Sequence, residues 1–156
     1  KYHFFYEKAK EEGYEQLAEF FKYTAENELT HARLYFDMLG FLGNTKENLE
    51  DAISSEAFEY NDMYKKFYDE AMEEEFTQIA RLFQGVGAIE HSHEMRFSAL
   101  LNNLENDKIF NKENSVMWEC RSCGHIYTGT SAPKVCPICG EDISYFQVYN
   151  NTFKEK

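Results

Sequence analysis

Apolar side chains recur at every third or fourth position through most of this chain, the period of helices that turn one face inward. Residues 2–12 read as the end of one helix, closed by Gly13 after Glu11 and Glu12, since glycine just past a periodic stretch is a usual stop. A second helix starts at Tyr14 and runs through Leu17, Phe20, Phe21, Ala25, Leu29, Ala32, Phe36 and Leu39 until Gly40 and Gly43 break it. Asn44 or Thr45 then caps a third, with Glu47 in its first turn, which continues through Leu49, Ile53, Phe58, Met63 and Phe67 to about Glu73. A fourth covers roughly Phe76 to Leu104, through Ile79, Phe83, Val86, Ile89, Phe97 and Leu101, with Glu73 to Glu75 as a solvated turn before it. Short connections make sequential helices antiparallel, so residues 1–105 are expected to form an up-and-down four-helix bundle whose first helix is short.

The text changes after about residue 105. Both prolines and all four cysteines lie beyond it, whereas the residues before it are rich in Glu, Lys, Ala, Leu, Phe and Tyr. The polar stretch 106–115 reads as a linker, and 116–156 as a small loop-rich β module with Trp118, Tyr145 and Phe146 as its largest apolar side chains. About 40 residues cannot supply a stable core alone, so a metal staple is expected.

Composition narrows the function. Hydrophobic residues at 43%, with 17% aromatics, exclude a disordered chain, and a formal net charge of −12 has the wrong sign for a phosphate-neutralising surface, so no nucleic-acid partner is expected. No apolar run reaches the roughly 18 residues of a spanning helix, so no membrane partner is expected either. Lys1-Tyr2-His3 has neither signal-peptide nor transit-peptide character, and together with the cysteine usage this points to the cytoplasm. The chain opens without methionine and in mid-helix, so residues upstream of Lys1 are expected to be missing.

Glu28-x-x-His31 and Glu90-x-x-His93 are two copies of one motif, each in the middle of a helix. Residues three apart share a face, so each copy aims a carboxylate and an imidazole at one point. Glu56-x-x-Glu59 lies between them with the same spacing. One copy in so glutamate-rich a chain would be an ordinary solvated face; two, flanked by Ala25, Leu29 and Ala32 or by Val86, Ala88 and Ile89, would bury carboxylates at a cost of several kcal/mol unless a cation sits among them. Hard carboxylates with imidazoles suit iron or manganese, and the set matches the di-metal carboxylate pattern of helical bundles with one first-helix glutamate missing. His91, about 100° round the helix from Glu90, should point elsewhere; His3 carries no motif.

Cys120-x-x-Cys123-Gly124 and Cys136-x-x-Cys139-Gly140 are two knuckles separated by twelve residues. Tetrahedral thiolate coordination fits zinc or a single iron; two disulfides are disfavoured without a secretion signal. Each glycine permits a turn in which backbone N–H groups point at sulfur. A redox-active two-metal site needs electrons one at a time, and that favours iron at the cysteines.

In combination the motifs resemble the rubrerythrins along essentially the whole chain. The residues concerned are Lys1-Tyr2, Lys8-Ala9-Lys10-Glu11-Glu12-Gly13-Tyr14, Glu26-Asn27-Glu28-x-x-His31-Ala32, Glu56-x-x-Glu59 with Tyr64, Glu90-x-x-His93-Glu94, and the rubredoxin-like run from Cys120 through Tyr127 and Ala132-Pro133 to Cys139. The resemblance implies a mainly α protein in which a ferritin-like four-helix bundle precedes a rubredoxin-like module. It implies a non-haem di-iron centre held by Glu28, His31, Glu56, Glu59, Glu90 and His93, one iron held by Cys120, Cys123, Cys136 and Cys139, and Tyr2 and Tyr64 against the di-iron site. Glu59 and His31 match positions where one iron exchanges a carboxylate for an imidazole as its redox state changes. The family's first-helix glutamate would fall a few residues before Lys1.

The implied activity is reduction of hydrogen peroxide to water in oxidative-stress defence, with electrons entering through the thiolate iron from an external rubredoxin or NAD(P)H-linked reductase, in a homodimer or tetramer. The rivals are a ferroxidase that handles iron, and a non-catalytic sensor or electron carrier with a zinc ribbon, zinc being a possible substitute at either site.

Overall fold

A computed structural model of the chain describes residues 1–150. It is mostly helical, with one small antiparallel sheet near the C-terminus, and divides into two compact units, Lys1–Asn48 and Leu49–Lys156.

The first unit is a hairpin of α1 (Tyr2–Glu11) and α2 (Glu15–Met38). Its turn follows from Gly13, whose φ of +82° only glycine adopts without cost. The Gly13 amide donates to Lys10 O and the Tyr14 amide reaches back to Ala9 O at 2.8 Å, which closes the helix end. Ala9 and Ala18 are buried.

α3 (Thr45–Phe58) starts in the last residues of the first unit and continues into the second. Asn44 caps it: its Oδ1 accepts from the amides of Lys46 and Glu47, while Glu47 Oε2 accepts from the Asn44 amide at 2.8 Å, a reciprocal pair that satisfies three N-terminal donors. The single helix expected from Thr45 to Glu73 is interrupted. A wide π turn occupies Glu59–Met63, where the Tyr64 amide bonds back five residues to Glu59 O, and α4 (Tyr64–Glu73) follows. After it α5 (Thr77–Glu105) packs antiparallel on α4.

The two hairpins repeat one another at a separation of 62 residues. Lys8-Ala9-Lys10-Glu11-Glu12-Gly13-Tyr14-Glu15-Gln16-Leu17-Ala18 corresponds to Glu70-Ala71-Met72-Glu73-Glu74-Glu75-Phe76-Thr77-Gln78-Ile79-Ala80. The second turn reproduces the first bond for bond, Phe76 N–H reaching Ala71 O at 2.8 Å and Glu75 taking φ +63° where the first turn has glycine. Buried Ala71 and Ala80 stand where Ala9 and Ala18 do. Even the ring clusters match: Tyr2, Phe5 and Phe21 have centroids 6.1, 6.4 and 5.5 Å apart, and Tyr64, Phe67 and Phe83 have centroids 6.1, 6.1 and 5.4 Å apart.

The C-terminal module is a three-stranded antiparallel sheet in the order β2-β1-β3, with β1 Asn111–Cys120, β2 Ile126–Ser131 and β3 Phe146–Val148, the last preceded by a 3-10 turn at Ile143–Tyr145. β1 begins within the polar stretch: Asn111 pairs with Ser131, and the register then shifts before Val116 pairs with Gly129. Its core is Trp118, Cys120, Ala132, Cys136 and Phe146, with Trp118 Nε1–H donating to Gly129 O at 3.0 Å.

Candidate metal centres

The four cysteines converge. Cys120 Sγ lies 3.7 Å from Cys139 Sγ and Cys123 Sγ 3.6 Å from Cys136 Sγ, and all four sulfurs fall within 4.8 Å of one another. Those separations are far beyond the ~2.05 Å of a disulfide. They match the edges of a thiolate tetrahedron, which at a metal–sulfur bond of about 2.3 Å are close to 3.8 Å. The residues present therefore fit a tetrahedral ion, iron or zinc.

Local backbone explains the convergence. Gly124 (φ +76°) and Gly140 (φ +79°) close the two knuckles, their amides donating to Cys120 O and Cys136 O. The turns aim further amides at sulfur, that of His125 at Cys123 and those of Ile138 and Cys139 at Cys136. At Cys136 burial works against the thiolate but the two amides and the neighbouring thiols outweigh it, lowering the thiol to about 6. At Cys123 the His125 amide favours the thiolate, yet burial and the other three thiols together raise the group to about 12. Four thiols this close cannot all ionise without a compensating charge, and a cation would displace their protons. Cys120 and Cys136 are buried, while Cys123 and Cys139 face solvent, so the site has one open edge.

In the helices of the second unit, Glu56, Glu90 and His93 place ligand atoms within 4.8 Å of one another. His93 Nδ1 stands 2.8 Å from Glu90 Oε2 and 3.4 Å from Glu56 Oε2. Their side chains are 34%, 13% and 20% exposed, respectively, a half-buried imidazole between two carboxylates. Two oxygens and a nitrogen fit a hard divalent ion such as iron or manganese as a partial coordination set.

Glu59, the first residue of the wide turn, is not among the three that converge, but its charge reaches Tyr64. The Tyr64 phenol is pushed above its ordinary value by desolvation first, then by the charges of Glu90 and Glu59. The wide turn accounts for that placement. On a regular helix at about 100° per residue, the five positions from Glu59 to Tyr64 would leave them about 140° apart; with one residue absorbed by the turn they fall within about 40°. Opposite Tyr64, buried Gly87 lets the two helices approach at the base of that side chain, since a Cβ there would sit 3.2 Å from Tyr64 Cβ. Tyr60, Tyr64, Tyr68, Phe83 and Gly87 line a groove of about 480 Å³.

In the first unit Glu28 and His31 form their own pair, Nδ1 to Oε2 at 3.4 Å, each side chain 58% exposed. Tyr2 stacks on Phe21. His91 points away from the Glu90 cluster, bonding Glu94 Oε2 at 3.0 Å with its ring stacked 4.5 Å from that of Tyr60, and His3 is exposed. The sequence reading missed the 62-residue repeat, although it relates Tyr2 to Tyr64, Glu28 to Glu90 and His31 to His93 and was there to be found. It also missed the wide turn, across which the apolar positions continue without a break.

Comparison with known proteins identifies the family of both parts of the chain. The rubrerythrin family profile matches residues 1–101 and, separately, 47–117, and that of the rubrerythrin rubredoxin-like domain matches 118–147. Rubrerythrin of Porphyromonas gingivalis is 39% identical, over 94% of this chain and 80% of its own length. Rubrerythrin-1 of Clostridium acetobutylicum is 37% identical, covering 98% and 87%, and rubrerythrin of Nitratidesulfovibrio vulgaris 32%, covering 95% and 84%. With a ferritin-like helical part, a rubredoxin-like cysteine module and relatives of this similarity along nearly its full length, the chain belongs to the rubrerythrin family.

Proposed function

We propose that the protein is a peroxide reductase. Hydrogen peroxide, two electrons and two protons give two waters, with electrons arriving singly through the cysteine site from an external rubredoxin or NAD(P)H-linked reductase. The observation that carries the reading is the pairing, in one rubrerythrin-family chain, of the Glu56, Glu90 and His93 cluster with a complete cysteine tetrad. Glu56, Glu59, Glu90 and His93 in the second unit and Glu28 and His31 in the first would be the ligands for two irons, and Cys120, Cys123, Cys136 and Cys139 would hold a third. Iron bound there would supply redox equivalents and a Lewis acid for reduction of the O–O bond. The cytoplasm and a homodimer or tetramer complete the reading.

The chain's own groups prepare the reaction. Desolvation first, then the charges of Glu90 and Glu59, oppose ionisation of Tyr64, so its Oη keeps its proton at neutral pH and would serve as a donor to a peroxide oxygen. Tyr2 occupies the matching place in the first hairpin.

Anaerobically purified protein should carry about three irons per chain, two for the carboxylates and one for the thiolates. Cys139→Ser should drop NADH-linked turnover to background while chemically pre-reduced protein is still oxidised by peroxide, followed in the visible spectrum. Full steady-state turnover in that variant would overturn the route of electron entry. Zinc at the cysteines and no peroxide-dependent change would overturn the enzymatic reading in favour of a sensor or carrier.

A further inference from the structure

The side chain of Asn61, inside the wide turn, donates from Nδ2 to the carbonyl of Ala57 at 2.8 Å. Ala57 directly follows Glu56, and the turn that Asn61 occupies begins at Glu59. The bond therefore closes the stretch 57–61, which contains Glu59 and begins at the residue after Glu56. A π turn is less favourable than the α-helix on either side, so a segment that keeps one needs local support. In the α-helices of this chain comparable bonds to the carbonyl four residues back come from hydroxyls, Thr24 to Phe20 O, Thr30 to Glu26 O and Ser92 to Ala88 O. Asn106 makes one at the end of α5, where the backbone ladder is already running out. Asn61 makes its bond in mid-helix, where the ladder changes from four-residue to five-residue bonds.

We propose that Asn61 is a positioning residue for the carboxylate metal site: its amide clamps the wide turn in place, and the turn sets Tyr64 and Glu59 relative to Glu56. Neither Glu56 nor Glu90 needs Asn61 as a neighbour, and the side chain touches no ligand atom in any described bond. Its effect passes through the backbone. The proposal rests on the reading of Glu56, Glu90 and His93 as metal ligands.

The test uses the full chain with zinc in its cysteine site, titrated with Co(II) and followed by the absorption of cobalt in an oxygen and nitrogen field, alongside hydrogen exchange of the metal-free helices. Asn61→Ala should weaken Co(II) binding about tenfold, the scale on which residues supporting a metal's ligands act. It should also speed exchange of the Tyr64 amide, which makes the five-residue bond. Asn61→Thr, whose hydroxyl can reach the same carbonyl, should recover both. A merely helical role predicts the reverse for Asn61→Ala, because alanine is the better helix former and would raise the melting temperature with Co(II) affinity unchanged. Wild-type affinity with unchanged Tyr64 exchange in Asn61→Ala would overturn the proposal, as would Asn61→Thr behaving like Asn61→Ala. Wild-type protein that takes up no Co(II) beyond the cysteines would overturn the metal reading of the carboxylates themselves, a failure visible before any variant is made.

Discussion

Two Glu-x-x-His motifs with the same spacing have different surroundings. Glu90 is 13% exposed and Glu28 is 58% exposed, each in its own unit. The spacing was legible because i and i+3 must share a helix face; the degree of enclosure was not, because it depends on which partners each face meets. Enclosure has a measurable consequence at Tyr64. Desolvation, then Glu90, then Glu59 raise its phenol above the ordinary value of 10.0. In metal-free protein Glu90→Gln should bring the Tyr64 titration back toward that value, read from the ring carbon bonded to oxygen in a tyrosine-labelled sample. The sign for folding follows: the native state prefers the neutral phenol, so this contribution is whole below the unfolded value near 10 and is lost as pH rises through the raised one. A Tyr64 titration unmoved by Glu90→Gln would mean that the two groups do not face each other.

Helices as elements were the most legible part of the fold, since apolar periodicity and the Asn44 to Glu47 cap located them to within a residue or two. The turn at Glu59–Met63 was not read because the apolar positions continue across it. The hairpin turns offer a sharper comparison. Both hairpins place one residue in the left-handed region, Gly13 at φ +82° and Glu75 at φ +63°, within the same set of backbone bonds. A side chain there costs about 1 kcal/mol or more that glycine avoids. Glu75→Gly should therefore raise the denaturation midpoint of the helical part by an amount worth about 1 kcal/mol, less the extra freedom glycine has when unfolded. Gly13→Ala, with nothing within 4 Å of its Cβ, should lose a comparable amount through backbone conformation alone. Equal stability in both variants would show that the turn conformation is not what separates the two hairpins.

At the scale of the whole molecule, the sequence separated a helical part from a cysteine module by composition alone, and the cysteines announced their metal because their spacing leaves little else for them to do. What it could not convey is how far the module's core is made of its ligands. Of the five core side chains there, Cys120 and Cys136 are metal-binding positions, and with Trp118 they are the largest fully buried ones. Apolar burial by so few groups is worth only a few kcal/mol, whereas structural metals contribute about 10–16 kcal/mol to small domains of this kind. Removing the metal should therefore unfold the sheet while leaving the α1–α2 and α4–α5 hairpins helical, because their packing uses none of the cysteines. Trp118 is the sole tryptophan and is wholly buried, its indole N–H held by Gly129 O, so its emission reports on the module alone. A strong chelator should shift that emission to the red with little loss of helical circular dichroism, and adding Zn(II) or Fe(II) back should reverse the shift. An emission that stays blue after the metal is gone would mean that Trp118, Ala132 and Phe146 hold the module together without it.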